Sequence, residues 1–231
     1  MSENARGKRR YDGSRRRDQA TQTRTRIIAA AAQVFLERGY AGATIPAIAA
    51  EAGVAVETVY RAATGKAGLL AAAVQVALAG GVERADLPVE QREGIRRVIE
   101  ETDPRRQLAA YAATQPGVWS RVGPLLRVLD AAAGTDDTLV ELRENHAHQR
   151  LVGLRRFAGL LAQNNALRSG LSVERAADLI WTICAQANYD ALVTARGWSH
   201  PDYQDWLTDT LASSLLPSKE DPPLSAPRPW S

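Results

Sequence analysis

A chain of 231 residues, 45% hydrophobic and 24% charged, is long enough to bury the core of one or two domains. Its single cysteine, Cys184, excludes an intramolecular disulfide framework and suits a reducing compartment. The N-terminus is polar and basic with no apolar core of signal-peptide type, and the longest apolar stretch, residues 67–79, is interrupted by Gln75 and falls short of the roughly 20 residues a membrane span needs, so a soluble, cytoplasmic protein is expected.

The net charge of +3 is unevenly distributed. Residues 1–26 carry nine Lys and Arg against three acids, whereas the rest of the chain carries 20 against 23. Residues 1–16 contain Gly7, Gly13 and almost no apolar side chain, which predicts a disordered basic arm. An arm of this kind suits a polyanion: Arg15, Arg16 and Arg17 could meet phosphates or enter a minor groove. A solubilising tail or an expression remnant would have the same composition.

From about Arg17 the pattern changes. Ile27, Ile28, Ala31, Val34 and Phe35 recur at helical spacing and predict an amphipathic helix ending near Arg38. Gly39 is its stop signal, and Tyr40 can fold back on the core. Thr44 to Lys66 then reads as a helix-turn-helix unit. Thr44 is placed to cap a helix, Pro46 falls in its first turn, and Ile45, Ile48, Ala49 and Ala52 repeat at helical spacing. Gly53 supplies a left-handed stop, and Val54 plugs the corner. A second helix from Val56 to about Ala62 turns Val59 inward and leaves Val56, Glu57, Thr58, Tyr60, Arg61 and Ala62 to the outside.

A longer helix from Lys66 carries Leu69, Leu70, Ala73, Val74, Ala77 and Leu78, is weakened at Gly80–Gly81 and ends by Pro88. Further helices are predicted at roughly 89–101, 104–114, 117–132, 138–165, 172–196 and 201–216, with breaks at residues 103–104, 115–117, 134–136, 169–170 and 197. Five prolines make residues 217–231 an irregular Pro-rich tail. No segment reads as a strand, so the fold class is all-α.

The ordered set Ile28, Ala31, Phe35, Gly39, Tyr40, Thr44, Ile48, Ala49, Ala52-Gly53-Val54, Thr58-Val59-Tyr60, Lys66 and Leu69-Leu70 resembles the DNA-binding domain of the TetR (tetracycline repressor) family of bacterial transcriptional regulators. Glu174, Ala177 and Trp181, and the run from Arg196 to Leu216, look like the last two helices of many members. The resemblance implies a three-helix helix-turn-helix DNA-binding domain over residues 17–65 and a helical ligand-binding and dimerisation domain over residues 66–216. It further implies a homodimer joined by a four-helix bundle, a palindromic double-stranded DNA operator, and a small-molecule effector whose binding relieves repression. By position, Thr44 and Lys66 would hold phosphates, Tyr60 would reach another, and Val56, Glu57, Thr58 and Arg61 would line the major groove. Two departures stand out. Ala62 and Ala63 replace the family's aromatic or His residues, a change worth about 2–4 kcal/mol of burial at Ala63 unless neighbours fill the space.

Within the second helix, Arg61 could pair with guanine, Glu57 with cytosine, and Thr58 or Val56 with a thymine methyl. Arg61 and Glu57 could equally pair with each other on a solvated face. In the C-terminal half, polar and aromatic residues on apolar helices mark candidate pocket walls: Tyr111, Trp119, His146, Arg150, Trp181, Cys184, Asn188 and Tyr189. Trp181, Cys184 and Asn188 share a face if residues 172–196 form one helix. The same residues could instead be core. Trp198, Tyr203, Trp206, Leu207 and Leu211 are the candidates for the dimer interface or core of the last helix.

No metal or other cofactor is expected, because His146 and His148 diverge by about 200° on a helix. Cys184 with a histidine base and Asp178 can be written as a catalytic set, but no Gly-rich phosphate loop, zinc-protease motif or nucleophile elbow accompanies it. A regulator, not an enzyme, is therefore expected. A helical enzyme and a membrane-surface or partner-binding helical protein with a basic arm are the alternatives.

Overall fold

The structure, a computed structural model, describes the backbone of residues 4–218 except residue 135, and side chains from residue 19 onward with the same exception. All regular elements among the described residues are helical. They form two compact units. The first runs to Ala85 and takes in Pro124–Arg143; the second holds Asp86–Gly123 and the chain from Glu144 on. The boundary expected near residue 65 thus falls inside the first unit.

In that unit α1 (Asn4–Gly42) buries Ile27, Ile28, Ala31, Val34 and Phe35, the periodic set read from the sequence. Its backbone is already helical from Asn4, where residues 1–16 were expected to lack regular structure. Arg, Gln and Ala are good helix formers, and extending an existing helix avoids the cost of a new nucleus. At Gly39 the backbone leaves the helix, with φ 65° and ψ 177°, so the predicted stop is where the chain bends. Tyr40 then returns to stack on Phe35 at 5.9 Å between ring centroids.

α2 (Ile45–Ala52) and α3 (Val56–Ala62) pack on α1 and on each other, and α4 (Gly65–Ala79) packs against α1 through Leu69, Leu70, Ala73 and Val74. α4 stops cleanly at Gly80, a left-handed residue whose N–H reaches back to the carbonyls of Val76 and Ala77. The sequence reading had carried a weakened helix on to Pro88; two successive glycines end it outright. A four-residue helix, α5 (Val82–Ala85), and a 3₁₀ turn at Val89–Gln91 follow.

α6 (Glu93–Glu100) precedes two long helices, α7 (Pro104–Ala132) and α8 (Asp137–Gln163), that contribute residues to both units. α7 runs straight through Gln115-Pro116-Gly117, where a break was expected. Leu108, Ala112, Gln115, Trp119, Val122, Leu126 and Leu129 are all buried and alternate by four and three residues along one stripe. Continuous burial on both sides of Pro116 outweighs the one hydrogen bond its ring removes.

The opposite correction applies further on. Residues 172–196 are not one helix: α9 (Val173–Ile183) ends at Cys184, Ala185 is extended with φ −67° and ψ 146°, and α10 (Gln186–Tyr189) restarts and passes into a π-helical turn at Asp190–Ala195. The last helix, α11 (His200–Leu215), opens with a reciprocal capping box between Ser199 and Asp202 and packs on α9. Of the expected Pro-rich tail, residues 219–231 lie outside the described residues.

Candidate functional site

The helix-turn-helix is built by local backbone chemistry. The Thr44 hydroxyl accepts from the Ala47 N–H at 3.2 Å, and Pro46 occupies the first turn of α2, where no amide hydrogen is needed. Gly53, at φ 63°, turns the chain, and its N–H and that of Val54 close on the carbonyls of Ala49 and Ala50. α3 then buries only Val59. Its other face is open: Glu57 and Arg61 are exposed, Val56 and Thr58 half-buried, and Tyr60 keeps 60% of its surface accessible. An exposed aromatic side chain on so short a helix gains nothing from folding, which suits contact with a partner.

Arg61 is held along its own helix, donating to the Glu57 carbonyl and the Thr58 hydroxyl, each at 3.4 Å. These long bonds to neutral oxygens leave the guanidinium its full charge. The Glu57–Arg61 pairing open in the sequence thus runs through the Glu57 backbone, not its carboxylate. Lys66 is placed differently from the phosphate contact that the resemblance implied. Its ammonium donates to the Tyr40 carbonyl at 2.8 Å and lies 4.1 Å from the Tyr40 ring centroid, half-buried. It ties the start of α4 to the end of α1. Ala62 and Ala63 are half-buried where α3 ends, so neither marks an empty closed core position. Arg15, Arg16 and Arg17 lie outside the residues whose side chains are described.

Tyr40 also donates its hydroxyl to Asp136 Oδ2 at 3.4 Å. Burial, then the Asp136 charge and that hydrogen bond, raise its pKa above the ordinary tyrosine value. The pair sits at a cleft of about 710 Å³ in the first unit, rimmed by Arg38, Lys66 and Arg127. Sequence reading missed Asp136, which lay in what looked like a plain linker.

In the second unit the structure gathers part of the candidate pocket set. The Arg150 guanidinium stacks over Trp181 at 4.2 Å and lies 5.4 Å from Trp119, and its Nη2 donates to the carbonyls of Trp181 at 3.1 Å and Cys184 at 2.9 Å. Tyr111 stacks on Phe157, a residue the sequence reading had not singled out, at 4.5 Å. Desolvation pushes the Cys184 thiol up to about 12 and raises the Tyr111 and Tyr203 hydroxyls far above their usual value, so all three are neutral at pH 7. A thiol so shifted is a small apolar group and a poor nucleophile. Among the described residues no three His, Cys, Asp or Glu side chains cluster where they could hold a metal.

Asn188 does not share a face with Trp181 and Cys184, because the chain breaks between them. Its amide instead donates to the carbonyls of Thr182 at 2.9 Å and Ile183 at 3.0 Å, capping the end of α9. Tyr189 is buried towards α11, 3.1 Å from His200 Nε2 through its hydroxyl and edge-on to Tyr203 at 5.3 Å. His146 lies half-buried on α8. Of the expected dimer-interface residues, Tyr203, Leu207 and Leu211 are fully buried within one chain and offer no surface to a second copy. Their spacing of four marks the inner face of α11. Trp198, 37% exposed, and the half-buried Trp206 remain accessible.

An uncovered second helix after a glycine turn, carried on two supporting helices and followed by a separate helical unit, is the arrangement of a helix-turn-helix. Residues 27–73 match the family described as "Bacterial regulatory proteins, tetR family". The likeness to that family covers residues 27–73, the helix-turn-helix and the helices on either side of it. No curated protein matches it. Among solved structures, NalD of Pseudomonas aeruginosa, the secondary repressor of the MexAB-OprM multidrug efflux pump, is similar at 20% identity and a TM-score of 0.64, over 85% of this chain and 98% of that one. FadR of Bacillus subtilis, solved in complex with stearoyl-CoA, is similar at 18% identity and a TM-score of 0.62, over 81% and 97%. FadR of Bacillus halodurans, a fatty acid degradation regulator, gives 18% and 0.64 over 82% and 94%. At these identities the likeness is one of fold.

Proposed function

We propose that this protein is a ligand-responsive transcriptional repressor that holds a palindromic operator as a homodimer and releases it when a small molecule enters the second unit. The observation that carries the DNA-binding half is the outer face of α3, with Tyr60, Arg61 and Glu57 open to solvent while Val59 alone is buried. Arg61 and Glu57 carry groups that read base edges, and Tyr60 and Thr44 carry hydroxyls that can donate to backbone phosphates. Two such helices, one per protomer, must reach major-groove faces about 34–36 Å apart or a multiple of that, which requires an approximately palindromic site. The ligand-responsive half is supported by the aromatic and cationic cluster around Arg150 and by the fold shared with NalD, a repressor, and with FadR of Bacillus subtilis, solved with stearoyl-CoA. Release follows by linkage when the effector binds the DNA-free arrangement more tightly.

The test is a gel shift with the protein's own upstream region in excess non-specific DNA. Tyr60→Ala removes an exposed ring, so the melting temperature stays at the wild-type value while operator affinity drops by about ten-fold, the worth of one good contact. Retention of wild-type affinity would contradict the assignment of α3 as the reading helix.

A further inference from the structure

Arg150 is half-buried between two tryptophan rings in the second helical unit. A guanidinium cannot shed its proton at any physiological pH, so burying it demands compensation from an anion or from many acceptors. Here the protein supplies that compensation to one nitrogen only, and the other two are left open to a ligand or to solvent. Nη2 spends its hydrogens on the carbonyls of Trp181 and Cys184, which end α9 and carry about half a negative charge between the last turn's free oxygens. Among the described residues no carboxylate pairs with Arg150, and Nε and Nη1 have no hydrogen-bond partner. The polar groups around it that could ionise are Tyr111, Cys184 and Tyr203, all neutral at pH 7 because burial raises their pKa values. Burial also lowers the pKa of Arg150 itself, the mark of a charge short of solvation.

Two further groups beside it are orphaned. The Tyr203 hydroxyl, on a residue with 0% exposure, and the Trp119 indole N–H, on one with 5%, have no partner. A cation with donors to spare thus lies between aromatic walls, Trp181 and Trp119, with Tyr203 close enough to influence its charge and Tyr111 stacked on Phe157. Tyr111 itself is half-buried.

We propose that this cluster is a binding site for an aromatic carboxylate: the carboxylate oxygens accept from Arg150, Trp119 and Tyr203, and the ring lies among the aromatic walls. The proposal rests on the reading of the second unit as the effector-binding part and gives that effector a charge and a shape. Arg150 is the charge anchor, Tyr203 and Trp119 its orienting donors, and α9's broken end is what holds the guanidinium in place.

The experiment is calorimetric titration of the full-length protein with 2-naphthoate and with its neutral isostere 2-naphthamide, repeated on Tyr203→Phe and Arg150→Gln. Naphthoate binds wild type at least about ten-fold more tightly than the amide, the worth of a charge-assisted contact. Tyr203→Phe deletes a hydroxyl with no partner in the protein, so its melting temperature is unchanged or higher, yet it weakens naphthoate several-fold and naphthamide, whose carbonyl accepts only a weaker uncharged bond, less. That pair of results separates a ligand contact from a structural role, and it stands even if Arg150→Gln, which also uncaps α9, fails to fold. A folded Arg150→Gln protein loses the preference for the carboxylate. Equal binding of the two probes, no binding of either at millimolar concentration, or undiminished naphthoate binding by Tyr203→Phe would overturn the proposal. If naphthamide alone binds and releases operator DNA, the regulator reading survives and the anionic class fails. If naphthoate binds as described but leaves the DNA complex intact, the site is real and the effector reading fails.

Discussion

Thr44 shows how a single side chain sets the geometry of the helix-turn-helix. Its hydroxyl satisfies an amide that α2 would otherwise leave open, and α2 is only eight residues long, too short to hold itself together by propensity. Thr44→Ala is expected to cost about 1 kcal/mol, the typical worth of a cap, with the urea midpoint falling at unchanged m-value. Lys66 makes the complementary point. Position alone suggested a phosphate ligand, but a long flexible side chain takes the nearest uncommitted acceptor, and the bend at Gly39 puts the Tyr40 carbonyl within its reach. No pattern in the sequence connects residues 40 and 66, so the contact could not be read there.

At the scale of elements, the parts that were legible are those whose signals are local. The caps, the glycine turn and the inward Val59 of α3 all follow from residues within a few positions of one another, and the structure reproduces them. What misled were signals that tertiary packing overrules. Pro116 looked like a helix end and lies inside α7, because the buried stripe from Leu108 to Leu129 holds both flanks in place. Residues 172–196 carried no proline or glycine, and yet the helix breaks at Cys184, because side chains distant in sequence or across the break stand ready to accept its loose end. Arg150, from α8, and Asn188, from α10, cover four carbonyl contacts there. Asn188→Ala should therefore cost about 1–3 kcal/mol, far above the few tenths expected of a helical surface residue. Urea unfolding followed by far-ultraviolet circular dichroism checks this, and a near-neutral result would mean that Arg150 alone suffices to close the break.

For the molecule as a whole, the groups with the largest shifts share one direction. Cys184, Tyr111 and Tyr203 are acids whose pKa values are raised, chiefly by desolvation, so each binds its proton more tightly folded than unfolded. Such groups contribute stability that is fully present below the unfolded pKa and is lost as pH rises through the folded one. For Cys184 that window opens at its ordinary value of 9.0 and closes at about 12. Each titrating proton contributes a slope of at most about 1.4 kcal/mol per pH unit, so the protein weakens steeply on the alkaline side. Cys184→Ala tests the thiol's share. At pH 8 the variant is less stable than wild type by about 1–2 kcal/mol, from the small cavity it leaves. By pH 11 the wild-type protein has forfeited about 2–3 kcal/mol of that advantage at this slope, so the two curves converge and then cross. Trp119, Trp181, Trp198 and Trp206 all lie in the second unit, so tryptophan fluorescence in urea at the two pH values follows the part of the chain where these groups sit. Parallel curves would show that Cys184 keeps its proton at pH 11 in both states or loses it without cost, and that alkaline weakening belongs to the tyrosines alone.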